Sequence, residues 1–266
     1  MLAAFAITFR ETLEAVLIVG IILSLLRKIG RKELSKSVWT GTILATAGSL
    51  ILALFFSLFL GGFEGRTEQI FEGIMMVFAA GVLTYMLFWM QFKRAAFEGK
   101  IEKAALKDSP FSLGLLAFTA VLREGIETVL FFFAASKTGT PFAIGAGGIT
   151  GILVAVIIAF LIYKSTKKIS LAPLFFWSGL VLFVIATGLF AHGVHEFQEA
   201  GLLPVFVEHL YDFNGVLNEK GFIGGILKAV FGYNGNPSLL EFFAYWGFIL
   251  GVGVSVIKRK KQLQLA

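Results

Sequence analysis

Two short runs carry most of the chemistry legible in this chain: Arg10-Glu11-Thr12-Leu13-Glu14 and Arg123-Glu124-Gly125-Ile126-Glu127. On a helix, residues three or four apart share a face, so Glu11 pairs with Glu14 and Glu124 with Glu127. Arg10 and Arg123 each stand four residues before the second glutamate and can reach it. Both runs lie inside apolar stretches. A charged side chain at the middle of a membrane helix costs about 2.5–3.5 kcal/mol on insertion scales, so six cost on the order of 15 kcal/mol before compensation. Leucine would pack there more cheaply. The pattern therefore reads as a polar site between helices that holds or passes something charged. If the two faces meet, four carboxylates surround one point, and such hard oxygen donors suit hard cations such as Fe3+, Mn2+ or Ca2+. The arginines would offset the carboxylate charge when no metal is present. A polar clamp between helices is the plainer alternative, but one Arg–Glu pair per helix would satisfy it, leaving the extra carboxylates without a role.

The elements that must position these groups are membrane spans. The chain has 266 residues and is 57% hydrophobic, more apolar surface than a soluble domain of this size can cover. Apolar runs long enough to cross a bilayer fall at 4–26, 38–60, 70–92, 112–135, 142–163, 173–194 and 239–257. The expectation is an all-α polytopic protein of the cell membrane, with seven transmembrane helices and one transmembrane domain over 1–266. The net charge of +6 comes from short connections between apolar runs, which excludes a nucleic-acid stripe. Cysteine is absent, which removes disulfides, thiolate ligands and cysteine nucleophiles. The N-terminus lacks a basic n-region and a small-residue cleavage site, and reads as a retained first helix.

Basic residues set the orientation. Arg27, Lys28, Arg31, Lys32 and Lys36 follow the first span; Lys93, Arg94, Lys100, Lys103 and Lys107 follow the third. Lys164, Lys167 and Lys168 follow the fifth, and Lys258–Lys261 the seventh. The other side has Arg66, Lys137, Lys220 and Lys228, a bias of 17 to 4 that predicts an outside N-terminus and a cytoplasmic C-terminus. Acidic residues (Glu64, Glu68, Glu72, Glu196, Glu199, Glu208, Asp212 and Glu219) collect on the predicted outer side, where an acidic vestibule would concentrate cations. Ile7–Val19 aligns with Ala120–Phe132 without a gap, yet the two spans run in opposite senses. This predicts a 3+3 inverted repeat, 1–92 and 112–194, with an outer loop 195–238 and a leftover helix 239–257. Transporters place their sites at such a repeat interface.

Other groups have chemistry too. Glu68 and Glu72 share a face at the outer end of the third span. His192, His195, Glu196 and Glu199 close the sixth. Together they are read as an outer metal station, against plainer roles as a helix start and as hydrogen-bonded histidines. Met75, Met76, Met86 and Met90 would favour Cu(I) as ligands, but methionine in an apolar helix mostly fills the core. In the outer connection, Phe222–Phe231 has an apolar face suited to the membrane interface. Glu241 reads as a favourable helix start.

The paired Arg-Glu-x-x-Glu motifs resemble those of the oxidase-dependent high-affinity iron permeases of fungi and their bacterial EfeU-type relatives. Phe71-Glu72-Gly73, Gly193-Val194-His195-Glu196-Phe197-Gln198-Glu199-Ala200-Gly201 and Gly232-Tyr233-Asn234-Gly235-Asn236-Pro237-Ser238 extend the resemblance over essentially the whole chain. It implies seven transmembrane helices and inward movement of iron, generally discussed as ferric. The family's proposed iron ligands match Glu11, Glu14, Glu124 and Glu127, with Arg10 and Arg123 as accompanying arginines. Iron is then cargo, and no cofactor is permanently bound. The resemblance further implies an extracytoplasmic iron-oxidising or iron-binding partner; a homo-oligomer is compatible with it, and no nucleic acid is expected. Alternatives are a permease for another divalent metal such as Mn2+ and an intramembrane lipid-pyrophosphate phosphatase. The phosphatase would need a Pro-Gly-x-Ser-Arg run, which the sequence lacks. A haem electron carrier would need histidines on facing helices, whereas His192 and His195 share one and His209 falls in a loop.

Overall fold

A computed structural model describes residues 2–60, 65–106, 109–136, 140–164, 172–219 and 221–265. Glu64, Lys107, Lys137, Lys167, Lys168 and Lys220, used above for charge and orientation, lie outside the described residues. Eight α-helices follow one another among those described: α1 (Leu2–Lys28), α2 (Ser35–Leu60), α3 (Arg66–Leu106), α4 (Pro110–Ser136), α5 (Pro141–Lys164), α6 (Ala172–Glu199), α7 (Phe222–Phe231) and α8 (Leu239–Leu265). Local sequence explains several boundaries. Pro110 and Pro141 occupy the first helical position, where a missing N–H costs nothing. Ser109 and Thr140 cap them, the hydroxyls accepting from the Ser112 and Ala143 amides at 3.3 and 3.4 Å. Gly30 closes α1 with φ 78°, and the Arg31 amide donates back to the Leu26 carbonyl at 2.8 Å.

Three helices run well past their expected ends. α3 is 41 residues long, about 60 Å at 1.5 Å per residue, twice the roughly 30 Å of hydrocarbon in a bilayer. The basic segment after residue 92, expected as a connection, is helical because Ala95, Ala96, Lys100, Glu102, Lys103, Ala104 and Ala105 are mostly strong helix formers. For the same reason α8 continues through Lys258–Leu265. α6 reaches Glu199, so the segment expected as a loop from 195 begins in helix.

Among the described residues, five helical stretches are long and apolar enough to cross a membrane: Lys32–Leu58, Arg66–Phe88, Pro141–Lys164, Phe176–Glu199 and Leu239–Lys258. α1 and α4 are equally long, at 27 residues each, but carry the two charged motifs. The bundle's outer faces are apolar: Ile43, Leu50, Leu54 and Leu58 on α2 and Ile149, Leu153, Ile157 and Phe160 on α5 are exposed. So wide an exposed apolar surface belongs in lipid.

The heaviest helix pairings are α2 on α4, α1 on α5, and α3 on α6, with α1 also against α4. Small residues permit them. On α5, Gly147, Gly148, Gly151, Ala155 and Ala159 are buried, and Thr8 of α1 donates to the Gly148 carbonyl at 3.1 Å. α7 meets α6 where Gly232 touches Gly188 backbone to backbone, and Gly232 has φ 64°, a left-handed conformation. Gly232→Ala would place a methyl against Gly188 and strain the backbone. Overpacking costs about 1–3 kcal/mol and the left-handed residue about 1–2 kcal/mol more, so a lower unfolding temperature in detergent is expected.

The core is layered. One apolar cluster joins Ala3 and Ile7 of α1 to Phe131 of α4 and to Met76, Leu83, Leu182 and Leu189. Another joins Val19, Ile22 and Leu26 of α1 to Leu113, Ala117 and Val121 of α4, with Val38 and Ala45 of α2. The two charged motifs lie between these layers on both helices.

Candidate transport site

α1 and α4 supply every motif side chain. Arg10, Glu11, Glu14, Glu124 and Glu127 are buried, Arg10 and Glu11 to 1% exposure, whereas the Arg123 side chain is 31% exposed. Helical spacing produces the expected pairs. Arg10 Nη1 meets Glu11 Oε1 at 2.7 Å, and Nη2 meets Glu14 Oε1 at 2.9 Å. On the other helix Arg123 bonds Glu124 closely and approaches Glu127 at 3.7 Å.

Ligand atoms of Glu11, Glu124 and Glu127 lie within 4.8 Å of one another, the one such acid or histidine group among the described residues. Glu14 stands outside that triplet, held by the Arg10 guanidinium that the i, i+4 spacing brings to it. Oε2 of Glu11, of Glu124 and of Glu127 are buried without a hydrogen-bond partner among the described residues. Leaving a buried polar group unsatisfied costs about 1–3 kcal/mol, more for a charged one. Three clustered carboxylates, each with a buried oxygen to spare, suit a cation, and oxygen donors select a hard one.

Arg10 has one further partner that sequence reading passed over. Its Nη1 also donates to Met86 Sδ at 3.2 Å, which ties α3 into the site. Met86 was legible only as core filler, because helix 3 has four methionines and spacing does not single one out.

The residues read from sequence as an outer station form a separate network. His195 Nδ1 bonds Glu241 Oε1 at 3.0 Å and its Nε2 bonds Glu199 Oε1 at 3.1 Å. His192 Nε2 lies 3.7 Å from Glu196 Oε1, and its ring stacks on that of His195 at 5.6 Å. Gln69 donates to Glu199 Oε2 at 3.0 Å, which brings the Glu68–Glu72 turn of α3 beside the end of α6; Glu72 is buried. These contacts join the outer residues in pairs rather than around one point. Glu241 does begin a helix: its amide donates to Ser238 Oγ and its Oε1 accepts from the Ser238 amide, both at 3.2 Å, a reciprocal cap. It also accepts from Asn234 Nδ2 at 2.7 Å.

Beside this network lies a cavity of about 250 Å3, lined by residues that include His192, Asn234, Glu241 and Tyr245 on one hand and Ile7 and Phe131 on the other.

Membrane-length helices enclosing a buried carboxylate cluster are the build of a multi-pass membrane permease, a transporter rather than an enzyme. The chain belongs to the iron permease FTR1 family, whose pattern it matches over residues 1–259. It is similar to the ferrous iron permease EfeU of Yersinia pestis, with 34% identity over 256 residues, 94% of this chain and 91% of the relative. The protein of the same description from Escherichia coli strain 536 is 32% identical over 265 residues, 97% of this chain and 95% of the relative. No solved structure matches the chain.

Proposed function

We propose that the chain imports iron across the cell membrane through Glu11, Glu14, Glu124 and Glu127. The observation that carries this reading is the buried triplet of glutamates whose ligand oxygens lie within 4.8 Å of one another, each residue having a second buried oxygen without a hydrogen-bond partner. Glu14 completes the ligand set when Arg10 yields it. Arg10 and Arg123 balance the carboxylates between ions and turn aside when one arrives.

The chain crosses the membrane seven times, by α1–α6 and α8, as two inverted three-helix halves plus α8, with the N-terminus outside. Support comes from the layers: α1 passes from the Ile7 cluster to the Val19 cluster, while α4 passes from Val121 back to Phe131. Support comes also from the pairings, since exchanging the halves turns α1 on α5 into α4 on α2 and leaves α3 on α6 unchanged. The residues 195–238 face outward, and Glu68, Glu72, His192, His195, Glu196 and Glu199 collect iron there before it descends.

Four carboxylates and two guanidiniums leave two negative charges, which a divalent ion neutralises; the relatives are named for ferrous iron. Ferric iron, implied by the wider resemblance, would leave one positive charge in the buried layer, which is removed if a water entering with the ion gives up its proton to the solution it came from. Membrane potential favours cation inflow by about 2.3 kcal/mol per charge per 100 mV. An extracytoplasmic iron-handling protein would dock on the outer connection.

The test is flux into proteoliposomes at imposed voltage and pH gradients, with Fe2+ held by reductant, Fe3+ held as a weak chelate, and Mn2+. Voltage-dependent accumulation of Fe2+ above Mn2+ is expected. Absence of any iron flux defeats the reading, and flux of Fe3+ alone reverses the assignment of oxidation state.

A further inference from the structure

We infer that Ile7 and Phe131 form the outer gate of the carboxylate site, the neck through which an ion must pass from the cavity to Glu11, Glu124 and Glu127. This rests on the reading of those carboxylates as the transport site. Both residues line the cavity. Both are nevertheless almost wholly buried, at 2% and 1% exposure, in the same apolar cluster. Ile7 stands four residues before Glu11 and Phe131 four after Glu127, so each lies one helical turn, about 6 Å, from a glutamate on its own helix face. Polar groups border the neck on both sides. His192, Asn234 and Glu241 line the cavity, and the bare carboxylate oxygens lie one turn beyond.

An apolar constriction between two polar compartments gates ions by staying dry. The cavity has room for a hydrated ion: six waters at about 30 Å3 each need about 180 Å3, against its 250 Å3. Ile7 and Phe131 expose only 2% and 1% of their surface, so the ion sheds water as the two side chains part and takes carboxylate oxygens in exchange. The opposite side is sealed too. Val19, Ile22 and Leu26 of α1 face Leu113, Ala117 and Val121 of α4 over about two turns. The arrangement is a site closed on both sides, with the cavity against one of them.

The chain has no cysteine, so thiol chemistry reads only introduced positions. In cells expressing Ile7→Cys with Phe131→Cys, a short reducible bifunctional thiol reagent should join the two positions and cut iron uptake at least tenfold, with recovery on reduction. Failure to link, or unchanged uptake by linked protein, overturns the gate. A second measurement needs no transport. On intact cells an impermeant thiol reagent should label Asn234→Cys at least tenfold faster than Glu127→Cys, and adding Phe131→Ala should bring the second rate to within about threefold of the first. Equal rates with Phe131 in place overturn the gate. If linking blocks uptake while Glu124→Gln transports normally, the carboxylate reading fails and the gate stands. If Glu124→Gln is inactive while linked protein transports, the gate alone fails.

Discussion

Glu124→Gln is expected to lower the initial rate of iron uptake by about 100-fold or more while leaving the protein inserted and folded. The substitution keeps the volume of a buried side chain and removes one of three clustered carboxylates that the proposed function makes ligands. Loss of a group that merely supports a metal ligand already costs about 10–100-fold, so loss of a ligand itself should cost more. Stability should change little. The variant relieves repulsion with Glu11 and Glu127, and Arg123 keeps Glu127 as a partner at 3.7 Å. That separation of readouts decides between a transport site and a structural clamp. A clamp predicts the reverse, a lower unfolding temperature with uptake intact. Radiolabelled iron uptake alongside thermal unfolding in detergent measures both.

Arg10→Ala should cause the largest loss of stability of any substitution in the motifs. Arg10 is 1% exposed and sits between Glu11 and Glu14 at 2.7 and 2.9 Å. Removing one partner of a buried ion pair strands the other charge and costs about 3–5 kcal/mol. Here two carboxylates are stranded, in a layer that already holds Glu124 and Glu127. Arg123→Ala should cost clearly less, because Arg123 is itself 31% exposed and stands 3.7 Å from its second glutamate, against 2.9 Å for Arg10. Thermal unfolding of the two variants side by side gives the comparison; equal losses would contradict the burial asymmetry between the motifs.

The site was legible because its information is local. Arg, Glu and Glu at i, i+1 and i+4 fix one helix face, and an apolar context fixes their burial. Two copies then make convergence of the faces the economical arrangement. Sequence spacing did not separate Glu14 from Glu11. Both lie on the right face, and only the position of the guanidinium shows that Arg10 claims Glu14 while Glu11 also reaches the other helix. The bond from His195 to Glu241 joins positions 46 residues apart, across a connection with few apolar landmarks. Glu241 did read from sequence as a favourable helix start, which is the local half of what it does; the reciprocal cap with Ser238 is seen in the structure. Helix ends were misjudged where hydropathy stopped but helix propensity did not, as in α3 beyond residue 92.

The pairing of α1 with α5 has a consequence for biosynthesis. α1 is made before both α5, its principal neighbour, and α4, which completes its carboxylate cluster. Until α4 has been made, the buried Arg10, Glu11 and Glu14 lack the motif opposite them, and until α5 has been made α1 lacks its main packing surface. The nascent chain must therefore hold a costly helix in waiting, at the translocon or at the lipid boundary. Truncations ending before α5 should be degraded rather than accumulate as a stable half-molecule.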